Sequence, residues 1–259
     1  KKWALQSGTS HNLGDHFGRV FGIEFLDRNG ERRYAFNTSW GLSFRMVGAV
    51  IMVHGDDRGL KLPPRVAPIQ VVIVPIWRKE AEREAVEAAV DRVRDALLPV
   101  ARVFVDRRDD KTPGWKFNEW ELKGVPVRLE IGPRDVANDQ VTLVRRDTHE
   151  KQSISIADLA GRIPEILGDI QANLFAAASR MLAENTVEVD SYDVLKERVA
   201  ANAGFSRAYW CGSAACEERV KAETKATIRC IPFEQPETPG RCLVCGEEAQ
   251  QQVIWARAY

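Results

Sequence analysis

Four cysteines carry the plainest chemistry in the 259-residue sequence. Cys211 and Cys216 are separated by four residues, Cys242 and Cys245 by two, and 25 residues lie between the pairs. Two close pairs joined by a loop can place four thiolates around one tetrahedral Zn²⁺, and both spacings suit that ion. Gly246, directly after the second pair, permits the tight turn that such a knuckle needs. Four sulfur ligands close the coordination sphere, so this zinc would be structural and would fold a segment too small and polar to make its own core. Reduced buried thiols or disulfides are the alternatives. Cysteines confined to one stretch do not resemble a secreted disulfide framework, which favours zinc and a cytoplasmic protein. The fifth, Cys230, lies in a β-like stretch and is expected to be a small buried hydrophobe.

A second candidate lies near the amino end. Gln6-Ser7-Gly8-Thr9-Ser10-His11 and Thr38-Ser39-Trp40-Gly41-Leu42-Ser43-Phe44-Arg45 are rich in small residues, and the second ends in an arginine. Small side chains let a ligand approach the backbone, and a guanidinium offers a fixed fork of donors to phosphate oxygens. On residue types alone, a surface arginine after a turn is the better reading. His16, His54 and His149 have no partner at metal-ligand spacing and are expected to be solvated or hydrogen-bonded structural residues.

These residues need elements to position them. Gly22–Phe25 and Tyr34–Phe36 alternate like strand ends around an Asn29-Gly30 turn. Helical spacing begins near Trp40, through Leu42, Met46, Val47, Val50 and Ile51, and stops at Gly55–Gly59. Pro63, Pro64 and Pro68 make a stiff linker. Val71–Ile76 is a β-branched run expected as a buried central strand, and residues 78–98 form an amphipathic helix ended by Pro99. Ala101–Val105 and Val141–Val144 read as strands. Val125–Ile131 alternates apolar and polar residues as a half-buried strand does. Residues 156–183 read as a helix that Pro164 is expected to kink or split, and Ser191–Ala201 as a short one. Strands alternating with long helices predict an α/β region over about 66–175.

Lysines and arginines number 37, aspartates and glutamates 37, so the chain is neutral and does not coat nucleic acid by bulk charge. The balance is uneven: residues 1–65 hold ten basic and six acidic side chains, which favours an anionic ligand there. The longest apolar run, Val71–Trp77, is far short of the roughly 20 residues of a membrane span. The chain opens Lys1-Lys2-Trp3 without Met, and the reading is of a start inside a longer protein.

Gly41-Leu42-Ser43-Phe44-Arg45 resembles motif 3 of a class II aminoacyl-tRNA synthetase. Its frame, from Thr38-Ser39-Trp40 through His54-Gly55-Asp56 to Leu62-Pro63-Pro64-Arg65-Val66-Ala67-Pro68, resembles prolyl-tRNA synthetases of the archaeal and eukaryotic-like type. The likeness continues through Pro113-Gly114-Trp115-Lys116-Phe117, Trp120–Pro126, Glu130–Asp135 and the four cysteines to Tyr259. It implies three parts: the tail of an antiparallel-sheet catalytic domain (1–65), an α/β anticodon-binding domain with a mixed sheet (66–175) and a small α+β zinc-binding domain (176–259). It implies that Gln6, Thr9, Ser43 and Arg45 bind ATP, which enters with Mg²⁺ as a substrate, and that Arg45 meets the γ-phosphate. His11, Ser39, Trp40 and Gly41 would form the proline site. Phe117, Glu121, Arg128, Arg134 and Asp135 would read anticodon bases, by stacking and by hydrogen bonds to base edges. The implied reaction joins L-proline to tRNA-Pro through prolyl-adenylate in a cytoplasmic homodimer. It depends on positioning and charge, with no dedicated acid or base.

Motifs 1 and 2 of the family are absent from this sequence, so the chain is expected to be inactive alone. Phe44 replaces the usual small polar residue and is expected to disturb Arg45. A non-catalytic tRNA-binding module is the competing function, and a zinc-stapled interaction domain the third.

Overall fold

The structure, a computed structural model, describes residues 2–259. Two compact units are present, one formed by residues 2–49 with Ala183–Tyr259 and the other by Val50–Leu182. Both contain mixed sheets, and the chain is a mixed α/β protein.

The amino-terminal segment runs β1 (Thr9–Gly14), α1 (His16–Phe21), β2 (Glu24–Leu26), β3 (Arg32–Tyr34), β4 (Asn37–Gly41) and α2 (Arg45–His54). β1 and β4 form an antiparallel ribbon with Thr9 opposite Gly41, Ser10 opposite Trp40 and His11 opposite Ser39. β2 and β3 form the hairpin expected around Asn29-Gly30, its loop tied by Asp27 Oδ1, which accepts from the backbone N–H of Asn29 at 2.8 Å. α2 starts at Arg45 and not near Trp40, because Trp40 and Gly41 are held in β4. The helix buries none of its side chains.

The second unit is built on β5 (Val71–Pro75), α3 (Glu80–Leu97), β6 (Val103–Val105), α4 (Pro113–Leu122), β7 (Val127–Ile131), α5 (Pro133–Ala137), β8 (Gln140–Arg145), β9 (Lys151–Ser155) and α6 (Leu159–Glu184). The sheet order is β6-β5-β7-β8-β9, with β5 parallel to β6 and β7 and the remaining pairs antiparallel. β5 is apolar throughout because both of its faces are covered. Val71 and Ile73 join a core with Val86, Val93, Leu129 and Ile163, whereas Val72 and Val74 pack with Trp120 and Val125. α6 is continuous through Pro164, after a single 3-10 turn at Ile156–Asp158. Gly124 has φ +73°, and a Cβ there would stand 2.5 Å from Leu60 Cβ. Only glycine lets residues 60–62 run beside the end of α4, where Leu60 N–H donates to Leu122 O and Leu62 N–H to Gly124 O.

The chain ends with β10 (Thr186–Glu188), α7 (Tyr192–Ala200), β11 (Phe205–Trp210), α8 (Ala214–Thr224), β12 (Ala226–Cys230), β13 (Gly240–Arg241), β14 (Glu248–Ala249) and β15 (Gln251–Arg257). β15 lies between β11 and β12, and its Val253 and Trp255 are fully buried with Leu195 and Val220. Cys230 is a correction: it is exposed, at the end of the edge strand β12, where the register slips between Ile228 and Cys230. Beyond β15, Tyr259 N–H donates to Ala4 O at 3.0 Å, and Ala4 N–H donates to Arg257 O at 3.0 Å.

Candidate functional site

Three constellations stand out. The first is a cleft of about 330 Å³ on the β1–β4 ribbon, lined by Gln6, Thr9, Gly41, Ser43 and Arg45 among others. Strand pairing creates it: the register that sets Thr9 opposite Gly41 brings Gln6–Thr9 against the turn before α2. Gly8 fits because a Cβ there would sit 3.2 Å from Gly41 O. The Arg45 guanidinium donates to Gln6 Oε1 at 3.1 Å, and Arg45 N–H donates to Ser43 Oγ at 3.4 Å. Phe44 is 93% exposed. Gln6, Thr9, Ser43 and Arg45 therefore meet in one cleft. Of the other group only Gly41 lines it, while His11 and Ser39 face each other along the ribbon and Trp40 is exposed.

The second lies on the sheet face under α4. Thr112 caps this helix, its Oγ1 accepting from Trp115 N–H, and Pro113 occupies the first turn. Phe117 and Glu121 are one turn apart on α4 and so share a side of it. The Arg128 guanidinium on β7 lies 4.4 Å from the centre of the Phe117 ring and donates twice to Glu130 Oε1. Glu121 Oε1 is 3.1 Å from Arg58 Nη1 and 3.3 Å from His149 Nδ1. Glu121, Arg128, Arg145, Arg146 and His149 line a narrow cavity of about 20 Å³ that Val72 and Trp120 also border. Arg134 and Asp135 are not in its wall. They open α5, where Asp135 accepts from Gly132 N–H at 2.9 Å and from Thr142 Oγ1 at 3.1 Å.

Sequence reading missed the supports of this face. Arg146 is buried and reaches both oxygens of Asp56, at 2.9 and 2.6 Å, which holds the Asp56 carboxyl well below the usual range. Arg146 directly follows β8, which ends at Arg145, so no strand alternation marked it as inward. Asp106 is buried. Burial alone would raise its pKa, but donors from Arg108 and the Trp120 indole outweigh it and bring it to about 2.

The third is the cysteine cluster. The sulfurs of Cys211, Cys216, Cys242 and Cys245 all lie within 4.8 Å of one another, with Cys211 3.7 Å from both Cys216 and Cys245. A tetrahedral Zn–S₄ site with bonds of about 2.3 Å has sulfurs about 3.8 Å apart, whereas a disulfide needs about 2 Å. The donor set therefore fits a metal. β11 delivers Cys211, the first turn of α8 delivers Cys216, and the turn between β13 and β14 delivers the other pair, closed by Gly246 at φ +77°. Burial and the neighbouring thiols push Cys216 up to about 12. Burial acts the same way on Cys242, but the N–H groups of Cys245, Val244 and Cys211 outweigh it and lower the thiol to about 7.

Comparison with known proteins gives a consistent picture. The family "Prolyl-tRNA synthetase, C-terminal" matches residues 192–259, and "Anticodon binding domain" matches 70–166. The chain is 53% identical over 258 residues to a proline--tRNA ligase of Natranaerobius thermophilus, covering 99% of this chain and 53% of that protein. It is 54% identical to that of Chloroflexus aggregans, covering 99% and 54%. Crystal structures of the prolyl-tRNA synthetase of Cryptosporidium parvum, one complexed with halofuginone and AMPPNP and one with L-proline and AMP, superpose with a TM-score of 0.92 at 39% identity. Each superposition covers 98% of this chain and 54% of the other. The chain thus spans about half the length of the relatives it matches.

Proposed function

Because the chain belongs to the prolyl-tRNA synthetase family, we propose that it contributes motif 3 and the anticodon-reading part of an enzyme that activates L-proline with ATP and transfers it to tRNA-Pro. The observation that carries this reading is the convergence of Gln6, Thr9, Ser43 and Arg45 on one cleft. Arg45 would exchange its bond with Gln6 for the γ-phosphate of ATP, which enters with Mg²⁺ as substrate. His11, Ser39, Trp40 and Gly41 would border the proline site. Adenylate formation then proceeds by alignment and charge stabilisation, with no side-chain acid or base in the step.

Recognition of tRNA-Pro falls to Phe117, Glu121, Arg128, Arg134 and Asp135. A ring and a guanidinium 4.4 Å apart offer an unpaired base a stacking surface, and Glu121 accepts from a base edge. The cysteine cluster would hold a structural Zn²⁺ that fastens β11, α8 and the β13–β14 turn together and takes no part in the reaction. The functional division we adopt is 1–65, 66–175 and 176–259, within a cytoplasmic homodimer. Among the described residues no helix is long and apolar enough to cross a membrane.

Titration of this 259-residue chain with tRNA-Pro anticodon stem-loops tests the recognition half. Proline-dependent ATP–pyrophosphate exchange tests the other: we expect none from this chain alone, and exchange from a polypeptide of the relatives' full length.

A further inference from the structure

His149 lies at the α4 face and has no part in the proposed reaction. It sits in the turn between β8 and β9 with φ +63°, a left-handed conformation that side-chain-bearing residues adopt at a cost. Glycine would take this position without strain. The imidazole stands between two carboxylates of distant segments: Nδ1 is 3.3 Å from Glu121 Oε1 on α4, and Nε2 is 3.5 Å from Asp56 Oδ2. Asp56 is in turn fixed by Arg146 and by Lys61 at 3.0 Å. Arg58 holds the same Glu121 oxygen from the other side, at 3.1 Å.

We infer that His149 is a positioning residue for base recognition, fixing the Glu121 carboxylate at the mouth of the cavity it lines with Glu121 and Arg128. The inference rests on the proposed anticodon site. Both restraints fall on Oε1, so they set the direction in which Oε2 is presented. Proline codons begin with two cytosines, so the bases to be read are guanines. A fixed carboxylate accepts from the N1–H and N2–H₂ edge of guanine, whereas adenine offers no such pair of donors there. A carboxylate free to rotate would bind both bases with less distinction, because the cost of ordering it would then fall on the complex.

The test uses the 259-residue chain, a tRNA-Pro anticodon stem-loop, and loops in which the second or third anticodon base is changed to adenine. His149→Gly removes the ring and suits the backbone, so its Tm should equal or exceed that of the parent. Its preference for the unchanged loop should nevertheless fall roughly threefold, the worth of one part-exposed ion-pair contact. His149→Asn, which also tolerates the left-handed conformation and keeps a donor, should fall between the two. Full discrimination by His149→Gly, with discrimination lost in Glu121→Gln, would overturn the role of His149 alone. Full discrimination by Glu121→Gln would remove the anticodon reading of Glu121 and this inference with it.

Discussion

The β1–β4 ribbon and the five-stranded sheet solve the problem of placing functional side chains in opposite ways. In the sheet, Val71, Val72, Ile73 and Val74 are fully buried, and Phe117, Glu121 and Arg128, three of the residues proposed to read bases, lie on α4 and β7 on the face where Val72 and Val74 pack. In the ribbon, Ser10, His11, Ser39 and Trp40 are exposed, and Gly18 is the buried residue of the neighbouring α1. The sheet holds its site by packing. The ribbon holds its site by register alone, with Gly8 letting its backbone run close to Gly41 O. Packing couples function to stability, whereas register allows a side chain to be lost with little effect on folding.

Substitutions can break this comparison. Leu129→Ala, in the fully buried centre of β7, should destabilise the unit by about 2–5 kcal/mol in thermal unfolding, through lost burial and a residual cavity. Arg45→Ala should leave thermal stability and stem-loop binding unchanged. In an enzyme of the relatives' full length it should lower ATP–pyrophosphate exchange about 100-fold, as loss of a phosphate-stabilising charge does. Acid should act on the packed unit next. The Asp106 carboxyl is lowered in the folded state to about 2. Its contribution is therefore complete above the unfolded value of about 4 and is lost as pH falls through about 2, on the order of 1–2 kcal/mol. Asp106→Asn should flatten that part of the stability–pH curve. Trp40→Ala, at an 82% exposed position, should change stability by less than about 0.5 kcal/mol; a larger loss would show that the ribbon is packed after all.

The packed unit was the legible one. A strand covered on both faces must be apolar at every position, and Val71–Ile76 shows that run directly. The alternation of Val125–Ile131 marked Arg128 as lying opposite Val127 and Leu129, which cluster in the core. α4 escaped periodicity because Lys116 is buried within it, donating to Asp106 O at 3.1 Å. Its Thr112-Pro113 start was the available signal. α8 turns only Cys216 and Val220 inward, too few to reveal a helix. Apart from Leu13 and Trp40 the ribbon strands are made of threonine, serine, asparagine, histidine and glycine, which carry no strand pattern, so their pairing was not legible in the sequence. Cysteine spacing did predict the cluster, whereas Cys230 was misjudged because an edge-strand end looks like any strand residue in sequence. The cleft residues were named through family resemblance, since small residues before an arginine fit too many surfaces to single one out.

The central claim is that this chain reads the proline anticodon through placed side chains rather than bulk charge. Its most direct test is the dissociation constant of the 259-residue chain for anticodon stem-loops differing only in the second or third anticodon base, at one fixed salt concentration. The account predicts that each change weakens binding by at least about tenfold, about the value of one well-formed base contact. Equal affinity for all loops would contradict it.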